Sequence, residues 1–220
     1  MDLTTYDLVI FDCDGVLVDS ERLTVEVETR ILGELGWPLT PADVVARWMG
    51  RTLESQVAEI GEWLGAAAAL EFERRSTEEA HRAFEAALPP VPGVVELIDA
   101  LEAAGVPTCV ASSGSHERIR LTLGVTGLLD RFAGRIWSGT EVDHGKPAPD
   151  LFLLAADAMG VAPERSAVIE DSLNGVRAGV AAGMTTYGYA GGLAAEADLV
   201  AAGAVGFQRM SDLWAGPPTR

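Results

Sequence analysis

The feature that most restricts the fold is an alternation that runs through the second half of the chain. Short apolar runs, each ending in Ser, Asp or Glu, take turns with stretches of helical periodicity. Strands are expected over residues 107–112, near Ile136, and over 167–170 and 185–189. Helices are expected from Val94 through Ile98 and Leu101 to a stop at Gly105, from an opening at Ser115, over 151–159, and over 173–182 with Gly183 as terminator. One more apolar run, residues 6–11, stands near the start and ends in an Asp-Gly turn. Alternating strands and helices imply an α/β fold with a parallel sheet covered on both faces. Ligands of such sheets bind beyond the carboxyl ends of the strands.

The pattern is interrupted between the first strand and Pro89-Pro90-Val91-Pro92-Gly93. There the periodicity is helical throughout: Leu23, Val27, Ile31 and Leu35 share a face before Gly36, Thr40-Pro41 opens a second helix, Glu54 to Leu64 makes a third, and residues 66–88 hold one or two more. The expected organisation is a core of residues 1–17 and 90–220 with an all-helical insert at 18–89. Trp37, Trp48 and Trp63 pack the insert, and Trp137 and Trp214 fill the core or its edge. The tail from Ser211, with its two prolines, is expected to fray.

Composition narrows the function. A net charge of −17 repels a phosphate backbone, which excludes nucleic acid as a partner. The opening apolar run is too short for a signal sequence or a membrane span. The two cysteines, Cys13 and Cys109, read as buried strand thiols in a reducing compartment. A soluble, cytoplasmic protein without membrane or nucleic-acid partners is expected, with a monomer preferred. A small anionic substrate would need a local cation to overcome the overall field.

Four clusters fall at strand ends. Asp12-Cys13-Asp14-Gly15 places two acids two residues apart on an extended segment, an arrangement that costs Coulomb energy unless a cation lies between them. Ser112-Ser113-Gly114-Ser115 closes a strand and opens a helix, offering hydroxyl and N–H donors to a phosphate, although Ser115 is also explained as a plain N-cap. Lys146, followed by Pro147-Ala148-Pro149-Asp150, is the only lysine beside fifteen arginines, which suits a site that needs a compact point charge. Glu170-Asp171-Ser172 puts two more acids at a strand end, and with Asp12 and Asp14 they compose a hard-cation site in which magnesium fits best. The glycines that follow, Gly175 and Gly179, read as a smooth packing stripe.

In this order and on these elements, the four clusters resemble the haloacid dehalogenase-like hydrolases, in particular the branch of β-phosphoglucomutase and the sugar-phosphate phosphatases. The resemblance spans essentially the whole chain and implies a Rossmann-like core with a helical C1-type cap. It further implies Mg2+ as cofactor and a small phosphorylated metabolite as substrate. By position, Asp12 would be the nucleophile that becomes an aspartyl phosphate and Asp14 the acid/base. Ser112 and Lys146 would grip the transferring oxygens. Asp12, Asp14 through its backbone carbonyl, Asp171 and Glu170 would hold the metal. Ser113, Gly114, Glu21 and Arg51 would face the substrate.

Two positions depart from the mutases. Thr24 stands where they carry a cap histidine, and Leu53 where they place an arginine, with Arg51 nearby and Arg47, Arg74 and Arg75 as further cations of the insert. A phosphatase is therefore the leading expectation. A phosphomutase is the first alternative and a non-catalytic phosphoacceptor module the second. His81, His116 and His144 are assigned no catalytic part.

Overall fold

A computed structural model describes residues 1–48 and 53–214. The chain divides into two compact units, one of Met1–Asp19 with Pro89–Arg220 and one of Ser20–Leu88.

The helical unit contains α1 (Ser20–Glu34), α2 (Pro41–Trp48), α3 (Leu53–Leu64) and α4 (Ala66–Ala87). Residues 66–88, where one or two helices were possible, form one. Gly36, at φ +98°, ends α1, and the chain turns back with Trp37 N–H donating to Leu32 O at 2.8 Å. Thr40 and Asp43 cap α2 reciprocally: the Thr40 hydroxyl and N–H both donate to Asp43 Oδ2, at 2.6 and 2.9 Å, while Asp43 N–H donates to the Thr40 hydroxyl. Val27, Ile31, Leu32, Val44, Trp48, Ile60, Ala69 and Phe72 form the core of this unit. Trp37 packs edge-on to Trp48 and stacks on Trp63, which stays 66% exposed. Of the three insert tryptophans, Trp63 is thus only half a packing residue.

The other unit is built on six parallel strands in the order β3-β2-β1-β4-β5-β6: β1 (Leu8–Phe11), β2 (Thr108–Ser112), β3 (Ile136–Ser138), β4 (Ser166–Glu170), β5 (Thr185–Tyr189) and β6 (Val205–Phe207). Ile10 is in register with Cys109 on one side and Val168 on the other. Helices α5 (Val94–Ala103), α6 (His116–Val125), α7 (Asp150–Ala158), α8 (Leu173–Ala181) and α9 (Glu196–Ala201) alternate with the strands. Leu151, Phe152, Ala155 and Ala156 of α7 and Ala178 of α8 bury Leu8, Ile10, Cys109, Ala111 and Val168. The alternate residues of β1 point the other way, where Phe11 meets Phe132 edge-on. Strands buried on both faces read as unbroken apolar runs, and every residue of β1 and β4 is buried.

Several expectations are corrected. β1 begins at Leu8 rather than at residue 6, because Leu3–Thr5 form a 3₁₀ turn that Asp2 caps and Tyr6 closes. Cys13 lies in the turn after β1 and not within a strand, though it is fully buried, as is Cys109. Fraying was expected from Ser211, but Met210–Leu213 form a 3₁₀ helix anchored by the buried Met210 and Leu213; residues 215–220 lie outside the described residues. α9 and β6 were not expected at all.

Sheet order reverses direction at β1, whose neighbours β2 and β4 are reached by crossovers on opposite sides. The resulting crevice lies beyond the carboxyl ends of β1, β2 and β4, where ligands of open α/β sheets bind.

Candidate active site

The ladder between β1 and β4 continues one residue past β1, with Asp12 N–H donating to Ile169 O at 3.0 Å. This fixes the Asp12 side chain at the mouth of the crevice, 7% exposed. The chain then folds into a tight turn, with Leu17 and Val18 N–H both donating to Cys13 O. Gly15 occupies this turn at φ +77°, and a Cβ there would lie 1.9 Å from Asp171 Oδ2. Only glycine lets the first acidic segment approach the second this closely.

Lys146 enters from the loop before α7, and its side chain is 4% exposed. Its ammonium donates to Asp12 Oδ1 at 2.6 Å, Glu170 Oε1 at 2.7 Å and Ala111 O at 3.1 Å, and it rests 4.7 Å from the centre of the Phe152 ring. Three donors meet three acceptors, which a planar guanidinium could not do in the same space. Burial pulls the Lys146 pKa down, but the charges of Asp12 and Glu170 outweigh it and hold the amine above its ordinary value. For Asp12, burial dominates and lifts the carboxyl to about 7, against the pull of Lys146.

Glu170 is saturated. Its Oε2 accepts from Asp171 N–H at 2.9 Å, Ser172 N–H at 2.8 Å and the Ser172 hydroxyl at 3.0 Å, while Oε1 receives Lys146. Its geometry is that of an anchor for Lys146 and for the turn into α8. Gly175 makes room for it, because a Cβ at that position would fall 1.7 Å from Glu170 Oε1; Gly179 likewise clears Thr186 Oγ1, at 2.4 Å. These glycines therefore serve side chains of β4 and β5 and not merely a smooth helix face.

Ser112 ends β2 and is 2% exposed; its hydroxyl accepts from Gly114 N–H at 3.2 Å. Ser113 is exposed and Gly114 half-buried. Gly114 O accepts from the Ser138 hydroxyl at 2.6 Å, which ties the loop after β2 to the end of β3. Ser115 caps α6, accepting from Arg118 N–H. Asp14 meets Arg118, whose Nε and Nη2 donate to its two oxygens at 3.3 and 3.0 Å.

Asp12, Asp14, Ser112, Lys146, Glu170 and Asp171 thus belong to one unit and gather at adjoining strand ends. Glu21 lies in the first turn of α1 in the helical unit, and Arg51 falls outside the described residues. Arg47, Arg74 and Arg75 make ion pairs within the helical unit, with Glu59, with Glu71 and Glu78, and with Glu34 and Glu79. His116 pairs with Glu141 and His144 with Asp150. Arg118 was missed from sequence. The available signal was a cation in the first turn of a helix, where the dipole opposes positive charge and an acidic partner is needed.

The metal requirement is tested by the donor set. Carboxylate oxygens of Asp12, Glu170 and Asp171 lie within 4.8 Å of one another, all three residues buried. Carboxylate oxygens this close to one another are an all-oxygen donor set, which fits a hard dication. With Glu170 engaged on both oxygens, Asp12 and Asp171 are the stronger candidates as direct ligands.

The parallel sheet, with Lys146 and the acids gathered where its strand order reverses, defines a doubly wound α/β protein with a candidate ligand site at that point. The profile of the haloacid dehalogenase-like hydrolases matches residues 6–183. The chain is 31% identical over 186 residues to 6-phosphogluconate phosphatase of Escherichia coli, covering 84% of this chain and 83% of that one. It is 32% identical over 209 residues to a phosphorylated carbohydrates phosphatase of Thermotoga maritima, covering 94% and 96%. Among solved structures it is similar to a putative β-phosphoglucomutase of Thermotoga maritima, with TM-score 0.78, 32% identity and coverage of 94% and 95%. The chain belongs to the haloacid dehalogenase-like hydrolase family. It is accordingly an enzyme, which sets aside the phosphoacceptor reading. Among the described residues, no helix is long and apolar enough to cross a membrane.

Proposed function

We propose that this chain is a magnesium-dependent phosphatase of small phosphorylated metabolites, sugar phosphates foremost, acting through a phosphoaspartate on Asp12. The observation that carries the reading is the buried Lys146 ammonium held between Asp12 and Glu170, beside Asp171, at the carboxyl end of β1. Such a site holds a carboxylate in fixed aim and offers oxygen ligands to a dication. The phosphatase relatives support the substrate class.

In the first half-reaction an Asp12 oxygen attacks phosphorus and the ester P–O bond breaks. Asp14 gives a proton to the departing alkoxide, which leaves as the alcohol. In the second, Asp14 takes a proton from water as that water attacks the phosphoaspartate, so orthophosphate leaves and Asp12 is restored. Lys146 holds Asp12 and neutralises charge that builds on the transferring oxygens, and Ser112 with the N–H groups of its loop binds the phosphoryl group. Asp12 and Asp171, with the Asp14 carbonyl, would hold Mg2+, which supplies charge neutralisation for a dianionic ester. Glu170 keeps Lys146 in place. The helical unit is a cap that selects substrates, and the enzyme works in the cytoplasm.

The test is a panel of phosphate esters with purified protein and Mg2+. Release of inorganic phosphate from sugar phosphates, lost in Asp12→Asn and on chelation, is expected. An Asp12→Asn protein as active as the parent would refute the reading. The similarity to a putative β-phosphoglucomutase keeps a mutase as second reading; isomerisation of a hexose phosphate with a bisphosphate primer, without net phosphate release, would favour it.

A further inference from the structure

We propose that Arg118 is a positioning residue for the acid–base step: it holds the Asp14 carboxyl in the orientation from which a proton reaches the leaving alcohol. This rests on the phosphatase reading above and adds to it a residue outside the four acidic, hydroxyl and lysine clusters.

Arg118 stands in the first turn of α6, where backbone N–H groups and the helix dipole favour an anion and oppose a guanidinium. Its backbone N–H is taken up by the Ser115 cap. The side chain nevertheless folds inward over Gly114: a Cβ on Gly114 would meet Arg118 Cδ and Ser112 Oγ at 3.5 Å each. The stem therefore packs on Gly114, in the loop after β2, and delivers the guanidinium to the loop after β1.

There Nε and Nη2 engage separate oxygens of Asp14 as a fork. A fork fixes the plane of a carboxylate as well as its position, which a single contact does not. With side chains 29% and 24% exposed, the pair is screened by solvent and adds little to stability. Its effect is geometric. Lys146 is committed to Asp12 and Glu170, so the two cations divide the two acids of the first cluster: Lys146 aims the nucleophile and Arg118 aims the acid/base.

The inference is tested on the full chain with Mg2+, comparing kcat/KM of wild type, Arg118→Ala and Arg118→Lys on two esters. p-Nitrophenyl phosphate has a leaving group that departs with little need of a proton; an alkyl phosphate cleaved by the wild type depends on one. Because kcat/KM reports steps through phosphoryl transfer, the later hydrolysis does not blur the comparison. Both variants are expected to lose about 10- to 100-fold on the alkyl ester and less than about threefold on the aryl ester. Lysine retains the charge and lacks the fork, so it should rescue only part of the loss. Equal losses on the two esters would mean that Arg118 binds the phosphate or supports the fold, and no loss on either would mean that the fork is idle; both outcomes overturn the inference while leaving the phosphatase reading intact. A wild type that releases no phosphate from p-nitrophenyl phosphate or from any alkyl phosphate tried would overturn that reading itself, and this one with it.

Discussion

At the scale of single residues, the site is a problem of keeping like charges close. Lys146 is surrounded by acceptors, and Gly175 exists so that Glu170 can hold it there. Gly175→Ala puts a methyl where Glu170 Oε1 lies, 1.7 Å away, so either the carboxylate or α8 must move. A destabilisation of about 1–3 kcal/mol is expected in urea titration. Turnover should fall by roughly tenfold or more, because Lys146 loses its aim. A variant as stable and active as the parent would show that Glu170 anchors nothing. Asp12 makes a second prediction. Its carboxyl, lifted by burial to about 7, is mostly protonated a unit below that value and mostly ionised a unit above. A cation binds the ionised form, so Mg2+ affinity should rise about tenfold from roughly pH 6 to pH 8, with proton release on the acid side. Calorimetry in buffers of different ionisation enthalpy measures both, and a flat affinity would contradict the assignment. The acids and Ser112 were visible as residues because they stand where apolar runs end, and Lys146 because it is the only lysine. The fork between Arg118 and Asp14 was not, since it joins positions 104 residues apart through the path of one side chain.

At the scale of elements, the legible pieces were those whose burial repeats in the sequence. β1, β2 and β4 are buried at every position, β1 as an unbroken apolar run and β2 and β4 as apolar runs bounded by Thr108 and Ser112 and by Ser166 and Glu170, and α2 announces itself by the Thr40 and Asp43 cap. β6 has three residues, one of them glycine, and its first, Val205, is 44% exposed, so no run marks it; it forms because the edge of β5 needs a partner. In the helical unit the seam between α1 and α4 combines an apolar core with surface ion pairs, and the two contribute differently. Phe72→Ala, which empties a fully buried position, is expected to cost about 3–5 kcal/mol in urea unfolding. Arg75, paired with Glu34 and Glu79, should matter less, and the effect of Arg75→Ala should fade in roughly molar salt. An Arg75→Ala loss equal to that of Phe72→Ala, or independent of salt, would reverse this ranking.

At the scale of the whole molecule, a net charge of −17 opposes the approach of any phosphorylated substrate to a site whose local cations attract it. Screening weakens the long-range repulsion before it weakens contacts inside a buried crevice. kcat/KM for a dianionic ester should therefore rise about twofold or more between roughly 10 and 150 mM ionic strength, while an uncharged substrate analogue binds equally well at both. A fall with salt would mean that the local field already dominates at a distance. What the sequence determined by itself was the alternation of strand and helix, the helical insert, and the kind of residue at each strand end, because burial period, capping and turn chemistry act over a few neighbouring positions. Strand order, the reversal at β1, and the meeting of Asp12, Lys146 and Glu170 were decided only by tertiary structure. Those depend on which sheet faces the helices cover and on how closely separate loops approach, and no local pattern encodes a distance between segments more than a hundred residues apart.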